Sequence, residues 1–594
     1  MKIIRFDKWL CVSLLCANVS VGLCAETPSE PWNLVENGHF DGGEEMPAGW
    51  NRLPEADGDA YSFRRDTTVA VNDPGYEGVA ASAMIERKDP SESGRPQRLE
   101  WYQDGIAVEG GSTVFLIAFC RIEGAAGGSV SLDFADGTGR QVERADFPIP
   151  DRAYRWRVLS DRTWRIIDEL VHVPKSATQV RIRLTAGDEP GRTWFDRVAL
   201  GVVDVELKQL TQQKWRAWRL ARKRFPTAGW SFFSAGEWNN APDKFQTYAN
   251  AGFSMVKIFG GEYRRAVAAG LEPLVRTGDP TAEFPAKIGY FMKDEPQRRP
   301  QMFDYGKAFA RILREDQGGA IPLLNNWGGN YVGEVIALQH PCFVMRTEYV
   351  LLANGRTRPH LYGNLEDLRR AALAHDIGYM GWALVAEHGS PSRVQFRQAS
   401  ESDLYWQVYG IVAYGAKGIW YYRYKSSSGL LDAPDQPNAS YHHVRTLNRE
   451  LHHLWPIVKH LRSTGVFHCQ ADPQAQIEDT VHDTVTIYQE GDVPPITDFE
   501  GDRFLLGMFE NMDDPSDTSV YVMLQNKRHA MDTDRMDPEL VATARFRIAE
   551  IQQASRFDTQ AAEWKPLEAP DAVCSMTLGG GEGVLLRFQA KPAE

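Results

Sequence analysis

The hydrophobic rhythm of the chain changes three times. From about 31 to 203, apolar and polar residues alternate in short runs. Examples are Thr113-Val114-Phe115-Leu116-Ile117-Ala118 and Gln179-Val180-Arg181-Ile182-Arg183-Leu184, with Gly, Asp and Pro clusters between such runs. A period of two broken every few residues marks half-buried strands. No helical period persists there, so two antiparallel sheets packed face to face are expected. From about 204 to 222 the spacing of Leu207, Leu210, Trp215, Trp218 and Ala221 predicts a single connecting helix.

From about 226 to 464 short apolar runs alternate with helical stretches. Eight strands are predicted: Ala228–Ser234, Phe253–Phe259, Glu272–Thr277, Ile288–Lys293, Ile321–Asn325, Cys342–Arg346, Gly378–Val385 and Gly418–Tyr422. Helices fall between them, for example Met302–Arg314 and Leu365–His375. A last helix spans about Tyr441–Leu461, where Pro456 is a candidate kink. Eight strand–helix units over this length predict a (β/α)8 (TIM) barrel. The competing arrangement is an open doubly wound sheet, but no Gly-rich dinucleotide fingerprint follows the first strand. From about 465 to 594 strand-like runs return, as in Arg503–Phe509, Ser519–Leu524 and Gly583–Phe588, and predict a small β-sandwich docked on the barrel.

The length of 594 residues fits this three-part reading, and 43% hydrophobic with 24% charged residues excludes a mostly disordered chain. The net charge of −13 argues against nucleic acid as a partner, since phosphate binding needs a basic surface. Lys2, Arg5 and Lys8 precede an apolar run from Trp9 to about Ala25, the pattern of a secretory signal peptide. The run is short for a membrane span and no later segment reaches that length, so a secreted or periplasmic protein is expected. Lipoprotein anchoring at Cys24 is the alternative, disfavoured by the bulky Leu23 before it. Beyond the signal, Cys120, Cys342, Cys469 and Cys574 show no metal-ligand spacing. Only Cys469 and Cys574 are expected to share a domain and so to be able to pair.

In a barrel of this kind the active site lies at the C-terminal ends of the strands. The fourth predicted strand runs directly into Asp294-Glu295-Pro296. A carboxyl group there, walled by Tyr290 and apolar residues, can have its pKa raised and donate a proton to a leaving oxygen. The plainer alternative is a strand-end salt bridge or helix cap. Two further glutamates end strands: Glu387 after the seventh and Glu348 after the sixth. Each has the alternative of a solvated surface carboxylate.

Aromatic and amide side chains gather at the strand ends: Trp230, Glu237-Trp238-Asn239-Asn240, Asn325-Asn326-Trp327, Tyr349, Trp382, and Trp420-Tyr421-Tyr422-Arg423-Tyr424. Flat rings stack on sugar C–H faces and amides read hydroxyls, whereas each ring singly is as well explained by core packing. His442-His443 and His452-His453 lie on the last helix and face different ways, which argues against a metal pair. Asp513-Asp514-Pro515-Ser516-Asp517 reads as an exposed turn.

Asp294-Glu295-Pro296 resembles the strand-four Asn-Glu-Pro ending of the large (β/α)8 clan of retaining glycoside hydrolases, which includes many β-galactosidases and β-glucanases. The resemblance implies that Glu295 is the general acid/base and that Asp294 replaces an asparagine that contacts a sugar hydroxyl. It also implies a nucleophile at the end of strand seven, for which Glu387 is the positional match and Glu348 the rival. Tyr290, Trp230, Asn325, Asn326, Trp327, Tyr349, Trp382, Trp420 and Tyr422 become candidates for substrate contact. Ala413–Tyr421 resembles the last barrel strand of secreted bacterial hydrolases of the same clan.

Asn33–Asp41, Pro47-Ala48-Gly49-Trp50 and Thr193–Leu200 resemble the first and last strands of jelly-roll carbohydrate-binding modules. Such modules often hold a structural Ca²⁺, which makes Asp41 and Asp196 the candidate ligands, a solvated pair being the alternative. The resemblance implies no cofactor for catalysis and a poly- or oligosaccharide substrate. The competing functions are a non-catalytic glycan binder and a polysaccharide lyase, in which Arg346 and Arg423 would neutralise a uronate carboxylate.

Overall fold

The computed structural model describes residues 33–590 except 41, 56–60, 71–80, 89–97, 125–126, 151–163, 231–242, 277–283, 297–298, 327–330, 390–393, 425–428, 433–435, 471–484 and 550–551. The expected signal segment with Cys24, together with Asp41, Glu237–Asn240 and Trp327, lies outside the described residues. The chain is mixed α/β and rich in sheet.

The first part consists of two five-stranded antiparallel sheets. Period-two alternation sends Val180, Ile182 and Leu184 of Gln179–Ala186 into the core between them, where they meet Ala83, Leu116 and Ala118 of the facing sheet. The strands Thr113–Gly124 and Gly191–Val202 are buried on both faces. Their outer residues Phe115, Ile117, Phe119, Trp194 and Ala199 pack around Tyr331, at the head of the helix Val332–Gln339. Arg197, left-handed at φ +50° beside a bulge, reaches across to Glu334 at 2.7 Å.

Eight parallel strands follow: β1 (Thr227–Trp230), β2 (Met255–Ile258), β3 (Glu272–Val275), β4 (Gly289–Asp294), β5 (Ile321–Asn325), β6 (Phe343–Met345), β7 (Gly378–Leu384) and β8 (Ile419–Tyr422). They form two four-stranded arcs, one ordered β1-β8-β7-β6 and the other β2-β3-β4-β5. At one seam the Ser254 N–H donates to the Thr227 carbonyl at 3.1 Å; at the other Asn326 and Arg346 make an isolated parallel bridge. Between the arcs lie Trp230, Trp382 and Trp420 of one and Phe291 of the other, with ring centroids 5.4–5.9 Å apart.

The helix Val205–Ala221 crosses the N-terminal ends of these strands. Asp204 caps it by accepting from the Leu207 N–H at 2.8 Å. Trp215 and Trp218 stack at 5.8 Å and both meet Phe343 of β6. The Trp218 indole donates to the Ile288 carbonyl, just before β4, at 2.7 Å. The apolar face differs at one end from the expected one: Ala221 is exposed, and Arg219 is buried instead. Arg219 binds both Asp513 oxygens at 2.9 Å, and His460 sits 2.8 Å from the same carboxylate. The expected exposed turn thus contributes an ion-pair anchor, which sequence spacing alone could not reveal.

The last part has a seven-stranded and a three-stranded sheet. In Phe504–Asn511, Phe504 and Leu506 face the smaller sheet, while Leu505 and Phe509 join the core around the eight strands. Cys469 and Cys574, expected to be able to pair, are both free thiols, buried like Cys120 and Cys342. His452 meets the Gly252 carbonyl and His453 that of Thr559, two different elements. The helix Ala439–Val458 carries Pro456 in its last turn, where few intrahelical bonds are interrupted.

Two predictions follow from the packing. A Cβ at Gly378 would lie 2.2 Å from the Trp215 ring. Gly378→Ala should therefore lower stability by about 1–3 kcal/mol, read by urea unfolding. Lys417, buried, donates to the Val458 and Leu461 carbonyls at 2.7 Å each. Burial pulls its ammonium down to about 7, with Arg219 adding to the effect and Asp513 opposing it. Between that value and the ordinary lysine value the unfolded chain binds more protons, so this group's contribution to stability rises with pH across the window. Denaturation at pH 7 and 9 should show a rise in the wild type that is reduced in Lys417→Met.

Candidate active site

Alternation along a strand decides which side chains reach the opening at the C-terminal ends and which face the helices. On β4, Phe291 points inward to Trp230 and Trp420. Tyr290 points outward: it is fully buried and donates to Asp316 at 2.5 Å. It packs against Ile312 and Ala320 on the helix side, and not toward the opening as expected. At the end of the strand, Asp294 accepts from the Asn325 amide at 2.9 Å, and the same amide donates to the Thr347 hydroxyl at 2.7 Å. This chain links the ends of β4, β5 and β6.

Glu295 has a left-handed backbone (φ +48°), which costs a non-glycine residue about 1–2 kcal/mol. The conformation is held by its N–H, which donates to the Asn325 carbonyl at 2.7 Å. The side chain is half-buried. Its charge and that of Asp294 both act on the Tyr422 phenol at the end of β8. Burial first, and these two carboxylates with it, push that phenol up, while Arg423 opposes them.

Beyond β6 the alternation continues. Arg346 faces the helix Leu361–His375, donating to the Asn364 side-chain oxygen at 2.5 Å. Thr347 faces the opening, and Glu348 faces the helix again, where it accepts from the Asn364 amide at 2.5 Å. Tyr349 turns back to Tyr422, 4.8 Å between ring centroids. Glu348 is thus buried, with one carboxylate oxygen held by Asn364. Arg346 is buried too, with Asp367 3.8 Å from its guanidinium. Asn326 also turns to the helices, accepting from Gln339 at 3.2 Å.

Glu387 follows β7 and is exposed. The Val385 and Ala386 N–H groups before it donate to the Tyr422 carbonyl, which ties its loop to the end of β8. His388, next to it, lies 3.1 Å from the Tyr422 hydroxyl. Burial pulls the imidazole below its ordinary value, and Arg423 adds to the effect. Tyr349, His388, Phe396 and Tyr422 form one aromatic cluster.

Trp230, Trp382 and Trp420 are almost wholly buried and form the floor beneath the opening, so they support the site more than they offer a stacking surface. Lys257 of β2 escaped the sequence reading. Its signal was a lone lysine within the apolar run Phe253–Phe259.

In the first part, Asp196 is buried and accepts from the Arg197 N–H at 2.6 Å. Among the described residues no three His, Cys, Asp or Glu side chains gather as metal ligands would. On the outer face of the sheet containing Gln179–Ala186, Arg181 lies over the Tyr102 ring, and Arg183 pairs with Glu100 and Asp133. A pocket lies at the other end of the strands, lined by Phe115, Leu170, Lys208, Ile336, His340 and His375. Among the described residues no helix is long and apolar enough to cross a membrane.

No family model matches the chain, and no curated protein does. Solved structures show distant likeness. The CBM22-1–GH10 modules of Clostridium thermocellum endo-1,4-β-D-xylanase 10B share 12% identity over 71% of this chain and 98% of that one, with a TM-score of 0.27. The β-galactosidase of Marinomonas ef1 shares 9% over 41% of this chain and 63% of that one, with a TM-score of 0.33. The enzymatically active domain of bacteriophage CBA120 tailspike protein 4 shares 17% over 29% of this chain and only 21% of that one, with a TM-score of 0.22. At such scores none establishes a shared fold or activity.

The division between Glu348 and Glu387 is testable without a substrate. Glu348→Gln keeps an acceptor for Asn364 and should hold stability within about 1 kcal/mol. Glu348→Leu strands the buried amide and should cost about 1–3 kcal/mol by urea unfolding.

Proposed function

We propose that the protein is a secreted glycoside hydrolase, with the eight parallel strands forming one (β/α)8 barrel and the site at their C-terminal ends. The observation that carries this reading is that the two arcs meet at both seams, through the Ser254–Thr227 hydrogen bond and the Asn326–Arg346 bridge, with Asp294 and Glu295 at the end of β4. Strands from both arcs therefore serve one opening, with Glu387 on the loop tied to Tyr422.

Glu295 protonates the departing glycosidic oxygen and afterwards takes a proton from water. Glu387 attacks the anomeric carbon, giving a glycosyl-enzyme intermediate and overall retention. The Asn325 amide holds Asp294 toward Thr347. That leaves the outer oxygen of Asp294 to accept from a sugar hydroxyl, where an asparagine would have offered a donor as well. Tyr349 and Tyr422 supply ring faces for the sugar.

The experiment is hydrolysis of a panel of aryl glycosides and polysaccharides. Glu295→Gln should lower kcat by about 10²–10⁴ on unactivated substrates, and Glu387→Gln at least as much. NMR should show the first product anomer with the configuration of the substrate. Glycan binding without turnover in the wild type, or full activity in Glu295→Gln, rejects the reading.

A further inference from the structure

The ammonium of Lys257 lies 3.3 Å from the ring centroid of Trp230 and 4.8 Å from that of Phe291. The lysine therefore points inward from β2 over the aromatic floor, beneath the opening. Among the described residues no carboxylate or carbonyl stands within hydrogen-bonding or ion-pairing distance of its nitrogen. Among the described residues, Trp230 and Phe291 compensate the charge with their ring faces, and no acceptor meets its N–H donors.

Two charged groups act on this ammonium from neighbouring strand ends. Burial, the largest effect, pulls it down to about 8, while Asp294, at the end of β4, favours its charge and Arg276, beyond β3, disfavours it. Arg276 in turn lies over the Phe259 ring at 5.3 Å, and Phe259 is exposed at the end of β2. Two cations and an exposed ring thus flank the side of the opening near Asp294.

We propose that Lys257 and Arg276 form a subsite for an oxyanion carried on the sugar ring, a carboxylate or a sulfate ester. The inference rests on the glycan-directed reading above and names the class of sugar that the opening takes. A half-buried cation resting on aromatic rings gains most from a ligand that brings both an acceptor and an opposite charge. A neutral hydroxyl brings only the acceptor. Asp294 does not fill the place, since it is engaged by Asn325 and does not reach the ammonium. Phe259 provides a face for the C–H side of the same ring.

The test is calorimetric titration of the whole protein with glucuronic acid, glucose 6-sulfate and glucose. At least one charged sugar should bind about tenfold or more tightly than glucose, with the advantage shrinking as salt is added. The arm that binds tells carboxylate from sulfate. Lys257→Met should abolish the advantage, and Lys257→Arg should keep most of it. Near-UV circular dichroism of the tryptophan layer checks that each variant is folded. Equal affinity for the three sugars, no binding of either charged sugar, or a charge preference that survives in Lys257→Met overturns the proposal. Hydrolysis of neutral glycosides alone would leave the hydrolase reading standing while removing this one. Charged-sugar binding without turnover would do the reverse.

Discussion

The rings of Trp230, Phe291, Trp382 and Trp420 fill the space between the two parallel arcs, and the rest of the molecule is arranged around that filling. Strands buried on both faces leave no room for polar groups along their length. Chemistry is therefore confined to where the strands stop. The left-handed turn at Glu295 shows this directly: the chain leaves β4, breaks its register, and is held by one backbone bond to Asn325. Lys257 is the exception that reaches the layer from within, and its charge rests on the rings beneath it.

The opposite end of the strands is closed by other means. Trp215 and Trp218 cover it, and the helix bearing them also carries Arg219 to Asp513 of the last part. The first part is joined through Arg197 and Glu334. Buried ion pairs of this kind contribute more to fixing a geometry than to net stability, because desolvation offsets much of the attraction. Their effect here is to hold two β-rich bodies against the eight strands, one of them through the helix that covers the far end.

Much of this organisation was legible in the sequence. Runs buried on both faces read as near-continuous apolar stretches, and all eight strands lie within or within one residue of the segments that periodicity marks. The candidate site was legible in type and only partly in direction. Asn326 and Glu348 stand at strand ends as expected, yet each meets the helices, as does Tyr290 within β4. A shift of one residue reverses the side of a strand that a side chain serves, and strand ends are where bulges and turns make such shifts. Asp513 looked like a solvated turn because its partner Arg219 lies almost three hundred residues away.

The sequence by itself determined the order of elements and the residue types at the strand ends, because both are written in local spacing. Only the tertiary structure decided which of those side chains share an opening. That depends on long-range register, on contacts such as Tyr422 with His388 and Asn325 with Asp294, and on the packing that sets the Lys257 ammonium over the Trp230 ring. None of these has a local signature, since each is made by groups that meet only after the strands have paired.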